Sequence, residues 1–447
     1  MYVLSFLFGI IQFLLISFIL VQELKRKSPA VFMWAALFVM FAFPHLLTCI
    51  IEDMNYSTSI YLAASVFVCG FCGIYLLVRT KKNTSFVTLV DNKKFEIEPT
   101  GIEGTLFEYM CFGIFLLAIV GYMLYIIRAE GGLLNTSWSG AREIESGYVS
   151  LSGLATRLIF MLSGLSLFYF LTKRRIKAVV VLLLFIALIL VTRNRVQVLP
   201  VLIFFVSLYL LKIRTIKIKH IVIGLLLAVM VIYIIYAIRA FRYLGTLSNA
   251  TANFSWNYIN ATVRGFLNDR NGELGLRQYF YFFIQNNNNF EGFNKGYTYI
   301  RMLLVYIPRQ WSLGIKPESF DLLMGKAIGM IAGGTTHPTI FADCFGNMSW
   351  FGILLGGFWA ALSNGIDALI TRQKDNFYKI MLFFLAAYSF VVIGRGSVYN
   401  GFEEFAWGVL FLFILKLGAP QLSRVRFTLN KSRKMNVVAP QYMQRNR

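Results

Sequence analysis

Long apolar runs constrain this chain more than any other feature. Residues 105–127 hold one charge, Glu108, and residues 178–192 hold none. A run of roughly 18 or more apolar residues is long enough to cross a bilayer as a helix. Spans are expected near 2–21, 30–51, 59–78, 105–127, 153–172, 178–192, 196–211, 220–238, 351–370, 378–394 and 405–418, eleven in all. The first run is followed by no small-residue cleavage site, so it reads as a span and not as a removable signal. With 57% hydrophobic and 14% charged residues, and a mean hydropathy of +0.65, the chain has more apolar surface than a soluble domain can hide. It reads as one all-α polytopic membrane domain over 1–418, with a basic tail at 419–447.

A net charge of +22 would suggest a nucleic-acid partner in a soluble protein. Here the charge follows the loops. Lys25-Arg26-Lys27, Arg79 to Lys94, Lys173 to Lys177, Lys212 to Lys219, Arg372 to Lys379 and the tail fall after alternate spans. Cytoplasmic loops of membrane proteins collect Lys and Arg. These segments are therefore expected inside, the N-terminus outside and the C-terminus inside, and no nucleic acid is called for. The outward segments are then 128–152, the hairpin tip Thr192-Arg193-Asn194-Arg195, the large late loop 239–350 and residues 395–404. Apolar stretches in the large loop, such as Tyr279 to Phe283, suggest short helices on or dipping into the outer face. The tract Asn286 to Asn289 reads as a turn.

The two cations divide unequally between the sides. The inner set holds sixteen Lys and eleven Arg, the outer set three Lys and thirteen Arg. Topology needs only charge, whereas the planar guanidinium binds phosphate oxygens in pairs. Arg193, Arg195, Arg239, Arg242 and Arg395 stand at outward span ends, where they suit a diphosphate near the headgroup plane. The competing reading is that each snorkels to lipid headgroups.

His337 is the one His of three expected in the outward loop, in Gly333-Gly334-Thr335-Thr336-His337-Pro338. An imidazole there could take a proton from a sugar hydroxyl at neutral pH; a loop His bonded to backbone beside a Pro turn is the plainer reading. Asp343, six residues on, could orient that His or an acceptor sugar. Other outward carboxylates include Glu52-Asp53, Glu143, Glu145, Asp269, Glu273, Glu318, Asp321, Glu403 and Glu404. The pair Glu52-Asp53 could hold a metal but reads more simply as solvated acid. Arg142 to Gly153 and Arg264 to Gly275 share one spacing, which chance supplies in a chain this rich in Arg and Gly. Outward aromatics such as Trp138, Trp256, Trp311 and Tyr299 could stack on sugars, or form an interfacial belt. Of the five cysteines, Cys69 and Cys72 form CxxC within a span with no second pair nearby, which reads as helix packing. The chain has no phosphate-binding GxxxxGK[ST] loop and no nucleotide glycine fingerprint. Neither a metal nor another cofactor is called for.

One stretch carries a resemblance. Tyr306-Ile307-Pro308-Arg309-Gln310-Trp311 is followed by Lys316-Pro317, then Gly-Gly-Thr-Thr-His-Pro-Thr at 333–339, Asp343, Gly346 and Trp350-Phe351-Gly352. This order resembles the signature stretch of O-antigen (oligosaccharide repeat-unit) polymerases, in which Glu usually stands where this chain has Asp343. The resemblance implies a metal-independent C-type membrane glycosyltransferase in the bacterial inner membrane. It would join repeat units carried on undecaprenyl diphosphate at the periplasmic face, for O-antigen or a related surface polysaccharide. A flippase and a chain-length regulator are its implied partners. Related O-antigen ligases use an outward His with nearby Arg, which makes His337 the candidate base. On this reading Arg193, Arg195, Arg239, Arg309 and Arg395 would hold the diphosphate, and Arg142, Arg264 and Lys316 could touch acceptor or glycan. A ligase, a flippase for the same lipid-linked unit and a transporter of some other anion are the alternatives.

Overall fold

The structure, a computed structural model, describes residues 2–51, 55–79, 101–141, 151–212, 226, 230, 233–253, 255–268, 275–307, 311–312, 314–330 and 337–418. Among these residues the regular structure is helical throughout. That is the expected outcome for a chain in hydrocarbon, where each backbone N–H and C=O must find its partner within the segment.

Among the described residues eight helices are long and apolar enough to cross a membrane: Tyr2–Arg26, Val31–Ile50, Thr58–Val78, Leu106–Ala129, Gly153–Leu171, Arg175–Thr192, Ile340–Arg372 and Asn376–Arg395. Eleven were expected. The expected span 196–211 is the shorter apolar helix Arg195–Leu211. Most of 220–238 lies outside the described residues. The expected span 405–418 is part of a helix over 398–418, where Glu403, Glu404 and Lys416 dilute the apolar run.

The elements are α1 (Tyr2–Arg26), α2 (Val31–Leu37), α3 (Phe43–Ile51), α4 (Thr58–Val78), α5 (Gly101–Ala129), α6 (Leu151–Met161), α7 (Leu165–Leu171), α8 (Arg175–Thr192) and α9 (Leu199–Lys212). The late loop supplies α10 (Trp256–Asn268), α11 (Arg277–Gln285), α12 (Tyr297–Leu303) and α13 (Phe320–Ala327). There follow α14 (Ile340–Met348), α15 (Leu355–Arg372), α16 (Asn376–Arg395) and α17 (398–418). The centre of the bundle is α16. In its apolar stretch 83% of the residues are buried, against 28% for α1 at the rim.

Between α2 and α3 the helix widens to a π-turn at Phe38–Ala42. Pro44 follows at once; it has no N–H for the carbonyl four residues back, and its ring crowds that carbonyl. The widened turn sets His45 inside the bundle, with Nδ1 2.5 Å from the Tyr281 hydroxyl and Nε2 2.8 Å from Ser65 Oγ. Tyr281 belongs to α11, which buries Phe280, Tyr281 and Phe283. The late loop is therefore packed into the protein and not merely laid over it.

At the end bearing the basic loops, three helices meet on one guanidinium. Arg79 donates to both Glu23 oxygens at 2.8 Å, to Asp367 Oδ2 at 2.5 Å, to Ser28 Oγ at 3.0 Å and to Asn364 Oδ1 at 2.6 Å. Arg26 adds a 3.0 Å bond to Glu23. Glu23 and Arg79 are both buried. Close helix approach makes this possible: a Cβ on Gly356 of α15 would lie 2.3 Å from the Phe71 carbonyl of α4. Small residues at such crossings let helix backbones touch. On the same side, Glu108 of α5 takes Arg174, with Lys177 at 3.6 Å.

Candidate functional site

The opposite end of α16 is organised by another close approach. Gly396 closes the helix in the left-handed region (φ 104°), and a Cβ there would overlap the Pro338 carbonyl. Only glycine permits both the dihedral and the contact. Residues 337–339 are thereby laid across the C-terminus of α16, which brings His337 to the same corner as Arg395.

His337 Nδ1 lies 3.7 Å from Asp321 Oδ2 on the first turn of α13. That separation suits an ion pair or one bridging water, not a direct hydrogen bond. Asp321 also accepts from Asn400 Nδ2 at 3.2 Å, and Asn400 donates to Ser397 Oγ at 2.7 Å. Burial pushes the Asp321 carboxyl above its ordinary range, while its own backbone bond, Asn400 and the Arg301 charge oppose the shift.

Asp343, expected beside His337, has other neighbours. It is buried in α14 and accepts from Thr298 Oγ1 at 3.1 Å and Asn347 Nδ2 at 3.2 Å. Asn347 in turn accepts from the Thr298 backbone N–H at 3.0 Å. These neutral donors pin α12 against α14, so the position of Asp343 is explained by packing.

Next to this pair stands a group of cations on one aromatic ring. The Arg301 guanidinium lies 4.3 Å above the Tyr399 ring and Lys316 Nζ 5.4 Å from its centre. Both cations donate to backbone carbonyls, Arg301 to Pro317 at 2.6 Å and Lys316 to Ile307 at 2.8 Å. Among the described residues neither forms an ion pair. Arg301 Nε is buried without a hydrogen-bond partner, as are Thr339 Oγ1 and Glu404 Oε2. Burial lowers the Lys316 ammonium from its ordinary value, and Arg301 and Arg157 lower it further against Glu403. The Tyr399 hydroxyl donates to Glu403 Oε1 at 3.3 Å, and Arg157 Nη2 reaches Glu403 Oε2 at 3.4 Å. Two cations held by neutral carbonyls and a ring face give this corner the capacity to bind an anion.

The remaining expected residues lie elsewhere. Arg193 caps α8 in the left-handed region (φ 50°) and is 1% exposed. Its guanidinium donates to the carbonyls of Gly245 and Thr136 and lies 5.6 Å from the Phe241 ring. Leu247 N–H also donates to Thr136 O, at 3.0 Å. Arg193 thus ties the segments around Thr136 and Gly245 to the α8–α9 hairpin. Burial lowers its pKa from the ordinary guanidinium value, with Glu130 opposing. Arg242 stacks at 4.0 Å on Trp138 in the same neighbourhood. Arg195 opens the short turn into α9, and Arg239 lies on a helix over 233–242. Arg264 is exposed on α10. Arg142 and Arg309 lie outside the described residues, as do Glu52-Asp53, Glu143, Glu145, Asp269, Glu273 and the segment 331–336. Among the described residues no group of three or more His, Cys, Asp and Glu could hold a metal.

Arg157, Arg301, Tyr399 and Asn400 were not singled out in the sequence, and Asp321 was named only as one of the outward carboxylates. Arg157 had a readable signal, a charge a few residues inside an expected span. Compared with protein-family models, curated proteins and solved structures, the chain matches none.

Proposed function

We propose that this chain is a membrane glycosyltransferase that polymerises oligosaccharide units carried on a lipid diphosphate, working at the outward face of a bacterial inner membrane. The observation that carries the reading is the corner where His337, with the Asp321 carboxylate behind it, stands beside Arg301 and Lys316, neither of which is in ion-pair contact with an acid among the described residues.

In this reading His337 is the base. A hydroxyl of the incoming unit gives its proton to the imidazole while its oxygen bonds to the anomeric carbon of the growing chain. The bond from that carbon to the phosphate oxygen breaks, and its electron pair leaves with the lipid diphosphate. Asp321 steadies the imidazolium as it forms. Arg301, Lys316, Arg157 and Arg395 face the charge that grows on the leaving diphosphate. Preorganised donors of this kind each lower a barrier by about 3–4 kcal/mol. Arg193 is already engaged by two carbonyls and acts as a clamp on the loops. Asp343 keeps α12 and α14 in register.

The test is reconstitution of the full chain in lipid with synthetic lipid-linked repeat units and a gel readout. Ladder bands support polymerisation. Transfer to a core lipid would make the chain a ligase, and movement of the unit across the bilayer without bond formation would make it a flippase.

A further inference from the structure

A cavity of about 480 Å³ opens between the start of α4, the end of α11 and the junction of α14 with α15. None of its lining residues is charged, in a chain of net charge +22. Its polar groups are the hydroxyls of Ser57, Ser59 and Ser349 and the carboxamides of Gln285 and Asn287. Its aromatic wall is Trp350, 46% exposed, whose buried edge rests on Phe67 and Phe345 with ring centres 6.1 and 5.9 Å away. The Gln285 and Asn287 carboxamides are exposed. Ser349 and Asn287 both hold left-handed backbone (φ 49° each), a conformation that L side chains adopt at a cost and that gathers at binding sites.

Neutral amides and hydroxyls around one indole face form a site that rejects phosphate and carboxylate and accepts a ring bearing hydroxyls on its edge and C–H groups on its face. From these features we infer that this cavity is a binding subsite for neutral sugars. The inference deepens the proposed polymerase reading and rests on it for its role, though binding can be read without turnover. Asp343 and Phe345 project from opposite faces of α14, Asp343 toward Thr298 and Phe345 toward Phe67. His337 and Ser349 are separated by the length of that helix, roughly 15 Å. The cavity therefore holds sugars remote from the reacting bond. Its contribution is to recognise the repeat unit and to lower KM, with the base left unaffected.

The test uses the full chain in nanodiscs free of glycoside detergent. A panel of neutral trisaccharides (hexose, N-acetylhexosamine and deoxyhexose) is titrated and read by saturation-transfer NMR, with pyrophosphate and glucuronate as anionic controls. At least one neutral trisaccharide should bind, and Trp350→Ala should weaken it about tenfold, with Trp350→Phe restoring most of the loss. The exposed double variant Gln285→Ala/Asn287→Ala should weaken it too while leaving the fold intact. His337→Ala should bind as wild type does. Binding of none of the panel, or binding indifferent to both sets of variants, overturns the subsite. A His337→Ala protein that still polymerises would overturn the catalytic reading and leave the subsite standing.

Discussion

The two ends of the bundle handle buried charge in opposite ways. At the basic-loop end, the buried acids Glu23, Asp367 and Glu108 are each matched by Arg or Lys, and Arg79 alone serves two of them across three helices. At the other end, Asp343 is held by amide and hydroxyl donors, and Arg301 and Lys316 are held by carbonyls and a ring. Matched charge stabilises an assembly and is spent there. Charge buried beyond ion-pair contact with its opposite is costly, and a fold carries that cost where the charge has work to do. The contrast separates the residues that keep this protein together from those that the proposal assigns to a substrate.

The largest effect expected from the contrast is at Arg79. Arg79→Ala leaves Glu23 and Asp367 buried, with Arg26 the one other cation paired with them among the described residues, and breaking a buried pair costs about 3–5 kcal/mol. Thermal unfolding in detergent should show a protein much less stable than wild type; an unchanged melting temperature would erase the distinction between the ends. Arg301→Ala should behave inversely. It should melt near wild type yet polymerise roughly 10²–10³-fold more slowly, measured as initial ladder formation at saturating substrate.

The smallest effect is the sharpest in pH. Because burial raises the Asp321 carboxyl in the folded chain, its protonated form favours folding. That contribution is complete below the ordinary value near 3.8 and is lost as pH rises through the raised folded value. Asp321→Asn, which cannot ionise, should therefore be at least as stable as wild type at neutral pH, with Asn400 still in reach. Its activity should fall roughly a hundredfold or less. The acid limb of the wild-type profile, where Asp321 protonates beside His337, Arg301 and Asp343, should flatten in the variant. A variant with an unaltered acid limb would remove Asp321 from the mechanism.

Much of the architecture was legible because apolar length is a local property. Eight of the expected spans stand as helices long and apolar enough to cross a membrane, and the Asn tract forms the turn it suggested, with Asn287 and Asn288 in left-handed backbone. The site was legible only in part. His337 stood out by its rarity and by the side of the membrane expected for its loop. Its neighbour Asp321 did not, nor did the contact of Asp321 with Asn400, 79 residues on, or that of Arg157 with Glu403, 246 residues on. Such meetings are products of packing, and no periodicity encodes them. Arg79 read as one more basic loop residue, whereas it is buried. Glu23 and Asp367 could have exposed its role, since an acid at the basic end of an apolar helix needs a partner.

The claim on which the rest depends is that the His337 corner forms glycosidic bonds. The most direct measurement reconstitutes wild type and His337→Ala side by side with the same lipid-linked repeat unit and follows product length on a gel. Wild type should build a ladder that lengthens with time, and the variant, inserted at equal level and melting at the same temperature, should leave the unit as a monomer. Ladders of equal length and rate from both proteins would contradict the account.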